Sequence, residues 1–137
     1  MNRAFIFIKI IAKNVRKMVL LTISGIYAIV IGLGIIGLWT MLILTNQVPE
    51  LKSEPIAIKF HITAEIIMGI LSLVSGILLL IGLPWAPYFF ILAMGLVIYA
   101  VINSSGYYGQ RKQWLFVIVF GIILIASISL AILNIFF

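Results

Sequence analysis

Long apolar runs separated by short polar segments dominate the sequence. Residues 18–45 carry no charged side chain, and three further apolar runs cover residues 56–83, 84–105 and 114–137. A helix needs roughly 20 apolar residues to cross a hydrocarbon core about 30 Å thick, so each run is long enough. The pattern lacks the alternating segments of about ten residues that an outer-membrane barrel requires. We therefore predict an all-α membrane protein, a four-transmembrane-helix bundle that forms one domain over residues 1–137.

A basic segment, residues 1–17, precedes the first run and holds five of the nine basic residues. Its basic and apolar side chains fall on separate helical faces, with Lys9, Lys13, Arg16 and Lys17 on one and Phe5, Ile8, Ala12 and Val15 on the other. This pattern indicates a short amphipathic helix that binds anionic lipid at the membrane surface. The alternative is a helical extension of the first span with basic flanks.

The polar segments between the runs predict how the spans are connected. The second and third runs meet at G82-L-P-W-A-P87, a tight uncharged turn that predicts an antiparallel hairpin, and longer loops are expected at residues 46–55 and 106–113. Five basic residues precede the first span, against four in the loops on the other side, which favours N- and C-termini in the cytoplasm. We expect an integral protein of the cytoplasmic (inner) membrane.

Composition narrows the function classes. The chain is 65% hydrophobic and 9% charged, too little charge to cover the surface of a soluble domain. It has no cysteine and one histidine, which excludes thiolate metal sites, iron–sulfur clusters and multi-histidine metal sites within one chain. No phosphate loop, nucleophile elbow or zinc motif occurs, so we predict no catalytic residues and no metal, and an enzyme is not favoured. The charge distribution points to lipid and not to nucleic acid.

The most informative residues are His61 and Glu65, an ionisable pair inside the second run. Residues four apart share a helix face, so the two side chains can touch. Glu65 lies roughly 9 Å from the middle of its span, from a rise of 1.5 Å per residue. An ionised group near the bilayer centre costs about 2.5 to 3.5 kcal/mol on insertion scales. Glu65 can remain protonated, pair with protonated His61 or face a water-filled cavity, and carboxylates in such positions mark function.

Further polar residues are expected near this pair. The second span begins, and the third ends, at the same side of the membrane. We predict a ligand- or proton-binding cluster of His61, Glu65, Tyr99, Asn103 and Ser72, with a rim formed by Tyr107, Tyr108 and Arg111. Two structural alternatives remain. The ionisable pair can serve only to hold helices together through hydrogen bonds. The rim tyrosines can belong to an interfacial aromatic belt, together with Trp39.

The stretch E65-I-I-M-G-I-L-S-L-V-S-G-I-L-L-L-I-G82, followed by a short turn and an apolar helix, resembles the DoxX-like group of small four-helix membrane proteins. The resemblance covers residues 60–100, about a third of the chain. The first span lacks the arginine and the glycine–lysine pair often seen in that group. The resemblance implies association with membrane redox proteins, including quinol-oxidising complexes, and carries over no catalytic residue.

Three roles follow as hypotheses. The first is a small membrane subunit or scaffold that packs against other membrane proteins or against copies of itself, with the DoxX-like resemblance implying a redox or respiratory complex. The second is a proton- or cation-coupled transporter or channel that acts as an oligomer, with Glu65 as the carrier. The third is a quinone- or lipid-binding protein, in which His61, Glu65 and Tyr99 hold a polar head. No cofactor is predicted, and a quinone or lipid is left open as ligand.

Overall fold

The computed structural model describes residues 3–136, which form five helices. They are α1 (Arg3–Leu44), α2 (Glu50–Ser53), α3 (Pro55–Leu80), α4 (Ala86–Gln110) and α5 (Trp114–Phe136). All except α2 are long and apolar enough to cross a membrane. The predicted fold class, an all-α bundle with four candidate spans, is thereby confirmed. The helices agree with an integral membrane protein.

The helix boundaries differ from the sequence prediction in three places. From Arg3 onward the basic segment runs into the first span without a break, so the structure shows the helical extension and not a separate N-terminal helix, and residues 1 and 2 of the predicted segment lie outside the described residues. The loop after α1 contains the short helix α2. α4 continues to Gln110, past the predicted end near Ser105. In this added stretch, Tyr108 stacks on Phe116 of α5, and the Ser105 hydroxyl donates to the Val101 carbonyl at 2.7 Å.

Three of the connections contain, two residues after the helix end, a residue in the left-handed backbone region. Asn46, Gly82 and Lys112 have φ values of 52°, 74° and 57°. After Gly82 the Leu83 N–H donates to the Leu78 carbonyl at 3.2 Å, a bond that satisfies one of the free carbonyls at the end of α3. Glycine carries no steric penalty there. This geometry produces the tight turn between α3 and α4 that the sequence predicted.

α1 and α3 cross at very short range through paired glycines. A Cβ added to Gly76 would lie 2.6 Å from the Gly25 carbonyl oxygen, and one added to Gly32 would lie 2.6 Å from the Gly69 carbonyl oxygen. The glycines are seven residues apart on both helices, so the two contacts repeat along one antiparallel seam. Small residues allow this approach, and in lipid it is van der Waals contact that drives it.

The remaining helices pack in sequence order. α1 packs chiefly on α3, α3 on α4 and α4 on α5, whereas α1 meets α4 and α5 only locally. α4 contributes most of the fully buried apolar side chains, among them Phe90, Met94 and Val97. The bundle therefore has an α1–α3 pair and an α4–α5 pair that join through α3 and α4. We call the end with the α3–α4 turn the turn end, and the end with the α1–α3 and α4–α5 connections the loop end.

Hydrogen bonds between α1 and α5 close the turn end. The Asn134 amide donates to the Ser24 hydroxyl at 2.7 Å, and both residues are buried. One helical turn further in, the Tyr27 hydroxyl donates to the Ile123 carbonyl at 3.0 Å and lies 2.8 Å from the Ser127 hydroxyl. These bonds join the first and last helices where few other contacts do. The sequence analysis did not anticipate them.

Candidate functional site

A cavity of about 1040 Å³ lies at the loop end between the two helix pairs. Its wall comes from the second half of α1, the following loop, the first half of α3, the last half of α4 and the start of α5. The α1–α5 hydrogen bonds hold the pairs together at the other end of the bundle. Because nothing equivalent joins α1 to α5 at the loop end of the described chain, the pairs leave this space between them.

Glu65 projects from α3 into the wall of the cavity and binds two neighbours. Its Oε1 lies 3.3 Å from His61 Nε2, and its Oε2 accepts a hydrogen bond from Trp39 Nε1. The Glu65 side chain is only 16% exposed, whereas that of His61 is 43% exposed. The Trp39 ring also meets the His61 ring edge-on, at 5.8 Å between centroids. We call Trp39, His61 and Glu65 the carboxylate cluster.

The helix geometry explains how this cluster forms. His61 and Glu65 are one turn apart on α3, so both point to the same side. α1 runs antiparallel to α3, and the seam of glycines fixes its register, which places Trp39 beside the first turns of α3. Trp39 is buried, and its indole N–H, which has no acceptor in lipid, is satisfied by the carboxylate. The cluster thus keeps a carboxyl group inside the bundle, with the Trp39 indole donating to one oxygen and the His61 imidazole beside the other.

A second polar group, the rim cluster, lies at the mouth of the cavity. The Tyr107 hydroxyl donates to Glu50 Oε1 at 3.2 Å, and an Arg111 guanidinium nitrogen lies 3.6 Å from the same oxygen. The guanidinium also covers the Tyr107 ring at 4.1 Å from its centroid. Glu50 begins α2, so the short helix in the loop brings a carboxylate to the end of α4. The rim cluster links the loop after α1 to the end of α4.

Aromatic rings form much of the wall between the two clusters. Tyr108 stacks on Phe116 with centroids 4.7 Å apart and meets Phe120 at 5.6 Å. Tyr107 packs edge-on against Tyr108 at 5.2 Å. All four rings line the cavity together with aliphatic side chains. The cavity therefore has an apolar body with two small polar regions.

The structure brings most of the predicted site residues together. His61, Glu65, Asn103, Tyr107, Tyr108 and Arg111 all line the cavity. Tyr99 and Ser72 do not. Tyr99 is 73% exposed because it lies on the opposite side of α4 from its buried residues. Ser72 is fully buried inside the bundle, where its carbonyl accepts a bond from the Ser75 hydroxyl at 2.9 Å.

Two members of the site were missed. Trp39 was interpreted as an interfacial aromatic residue, although the connection from α1 to α3 places it at the level of His61. Glu50 was treated as part of a loop, and only the folding of α2 brings it to Arg111. A buried indole needs an acceptor, so pairing Trp39 with the nearest intramembrane carboxylate was the available signal. No local signal pointed to Glu50.

The clusters do not form a metal site. Among residues 3–136, no group of three or more histidine, cysteine, aspartate or glutamate side chains could hold a metal ion. The chemistry that the described side chains can offer is hydrogen bonding, charge pairing and proton exchange at Glu65 and His61.

Comparison with protein families identifies one relationship. The family model described as a domain of unknown function, DUF8058, matches residues 18–136, which is most of the chain. The chain therefore belongs to the DUF8058 family. Searches of curated proteins and of solved structures find no match. The resemblance to the DoxX-like group stays a prediction.

Proposed function

We propose that this member of the DUF8058 family binds a small amphiphilic molecule inside the membrane. The observation that carries the proposal is the cavity of about 1040 Å³ with the carboxylate cluster in its wall. Pockets for small molecules commonly measure about 300 to 1,000 Å³ and combine an apolar lining with a few convergent polar groups. The loop-end cavity has this composition, and the four long helices that contribute to its wall are long enough to cross a bilayer.

The carboxylate cluster and the aromatic wall suggest how such a molecule lies in the cavity. Its polar head reaches Glu65 and His61, and its apolar part lies against Phe116, Phe120 and neighbouring aliphatic side chains. A quinone or lipid, the ligands considered from the sequence, would bind in this way. Tyr99 has no part in this arrangement.

The proposal can be tested with the fluorescence of Trp39, the cavity-lining tryptophan of the described chain. In a Trp85→Phe/Trp114→Phe background, emission comes from Trp39 alone, because the chain has three tryptophans. Titration with a bromine-labelled long-chain alcohol in mild detergent should quench this emission in a saturable way. Trp39 is 8% exposed, so quenching from the outer surface of the bundle should be weak.

A matched pair of glycine variants on α1 provides the control. A side chain at Gly34 would enter open space in the cavity wall, whereas Gly37 has equally open space but does not line the cavity. Gly34→Phe should therefore reduce the quenching by the alcohol, and Gly37→Phe should leave it unchanged. Equal quenching in both variants, or none in the parent protein, would count against a ligand site.

The other two roles stay predictions. A subunit or scaffold role predicts that partner membrane proteins co-purify in mild detergent, and repeated isolation of the chain alone would argue against it. A transport role predicts flux in liposomes that Glu65→Gln abolishes. Both roles are consistent with ligand binding at the loop end. A partner protein would pack on the outer faces of the helices, which the cavity leaves free, and a transported species would bind in the cavity.

A further inference from the structure

The charged groups of the cavity are unequal in number. Its wall contains two carboxylates, Glu50 and Glu65, and Arg111 is the one lysine or arginine among the described residues that line it. Arg111 already lies beside Glu50 and over the Tyr107 ring. The rim cluster is therefore balanced within itself. Glu65 is the carboxylate that has no permanently charged partner.

The surroundings of Glu65 make this imbalance important. Its two described partners are the Trp39 indole, which is neutral, and His61, which carries charge only when protonated. The side chain is 16% exposed and faces a largely apolar cavity. A carboxylate in such surroundings interacts more strongly with a nearby cation than it would in water. An anionic head would be repelled by the same group.

The aromatic rings of the cavity wall also favour a cationic ligand. Trp39, Tyr107, Tyr108, Phe116 and Phe120 all line the cavity. The negative face of an aromatic ring attracts cations, and organic cations without N–H donors rely on this contact most. The Arg111–Tyr107 contact is already a cation over a ring at the mouth of this cavity. A lipophilic cation would meet both an apolar surface and favourable electrostatics.

We propose that the amphiphile bound by the cavity is a lipophilic organic cation, with its charged centre at Glu65 and its apolar body against the aromatic wall. This inference rests on the proposed function, because it names the ligand class of the same cavity. A carboxylate cannot hold a proton and an organic cation at the same oxygen. Exchange of the two at Glu65 fits the transport alternative, in which Glu65 is the carrier.

Two probes of equal shape and opposite charge test the preference. Binding of tetraphenylphosphonium and of tetraphenylborate is measured by equilibrium dialysis of the full chain in detergent micelles, with empty micelles subtracted. Both probes are measured in the same buffer at one fixed pH. The phosphonium should bind saturably to the protein. The borate should show no saturable binding above the micelle background.

Three variants assign the effect to Glu65. Glu65→Gln keeps the size of the side chain and removes its charge, so phosphonium affinity should fall by roughly tenfold or more. Glu54→Gln changes an acidic residue that does not line the cavity, and affinity should be unchanged. His61→Lys places a permanent cation one helical turn from Glu65, and it should also weaken phosphonium binding.

The outcomes separate this inference from the proposed function. Equal phosphonium affinity in the wild type and in both cavity variants would overturn the cation assignment. Borate binding as tight as phosphonium binding would overturn it too, while quenching of Trp39 by the brominated alcohol would still support an amphiphile site. Absence of saturable phosphonium, borate and alcohol binding would overturn both proposals. If Glu65→Gln does not fold, the phosphonium affinity of His61→Lys tests the cation assignment instead, because that variant keeps Glu65.

Discussion

The two ends of the bundle use polar side chains differently. At the turn end, Asn134 and Ser24 are buried and bonded to each other, and Tyr27 bonds across the same helix pair. At the loop end, Glu65 and His61 lie in the wall of a large cavity, partly accessible to whatever enters it. Neutral groups thus hold the helices together at one end. Ionisable groups line part of a cavity at the other.

The difference follows from what each arrangement costs in a membrane. A neutral hydrogen bond between helices contributes about 0.6 to 2 kcal/mol, and forming it requires no charge to be desolvated. A carboxyl group inside the bilayer carries a larger penalty, and a purely structural role could be filled by an amide. We infer that the turn end provides stability, whereas the loop end keeps polar groups available for a ligand.

The largest expected effect comes from the paired glycines between α1 and α3, which set how closely and in which register the two helices pack. Gly76→Leu should lower the free energy of unfolding by at least about 2 kcal/mol, because its Cβ would meet the Gly25 backbone at 2.6 Å, where no rotamer change helps. The measurement is unfolding in mixed detergent micelles. Gly37→Leu is the control, since a side chain there meets nothing within 4 Å. Equal losses in the two variants would contradict the close crossing.

The second prediction makes the same chemical change at each end. Asn134→Leu should destabilise the protein by about 1 to 2 kcal/mol, because the Ser24 hydroxyl loses its bond partner inside the bundle. Asn103→Leu at the loop end should have little effect, since the Asn103 side chain is exposed and makes no hydrogen bond within the described chain. Unfolding curves for the two variants measured in parallel test this. A larger loss at Asn103 would reverse the assignment of roles.

The third prediction concerns the carboxylate cluster. Glu65→Gln should change the free energy of unfolding by less than about 1 kcal/mol, because the amide oxygen still accepts the Trp39 bond and no charge needs to be desolvated. Thermal unfolding in detergent and phosphonium binding should be measured on the same sample. A loss of stability as large as that of Gly76→Leu would show that Glu65 mainly holds helices together.

The smallest effect is expected in the rim cluster. Arg111→Gln should cost less than about 1 kcal/mol, since its pair with Glu50 is partly exposed and such pairs contribute little. The effect should shrink further at high salt. Lys112→Gln is the neighbouring control, because Lys112 forms no ion pair in residues 3–136. A strong, salt-independent loss at Arg111 would place the rim cluster among the structural contacts.

Particular residues show how far the sequence could predict the site. The contact between His61 and Glu65 was predictable because it is local to one helix. Asn103, Tyr107 and Arg111 were predicted near it from the order of the spans, and they do line the same cavity. Tyr99 was expected to join the cluster, but it lies on the exposed side of α4. The reason is that α4 is rotated so that Phe90 and Val97 are buried, and the sequence did not show which side that would be.

The pattern of apolar runs by itself determined the number of long helices, the approximate bounds of α3 and α5 and the turn at Gly82. It could do so because a bilayer imposes a minimum apolar length and because backbone hydrogen bonds in lipid must be satisfied within each helix. Only the tertiary structure decided that Trp39 binds Glu65, that α1 and α5 join through Asn134 and Ser24, and that a cavity separates the helix pairs. These features depend on the rotation and separation of helices, which contacts distant in sequence determine.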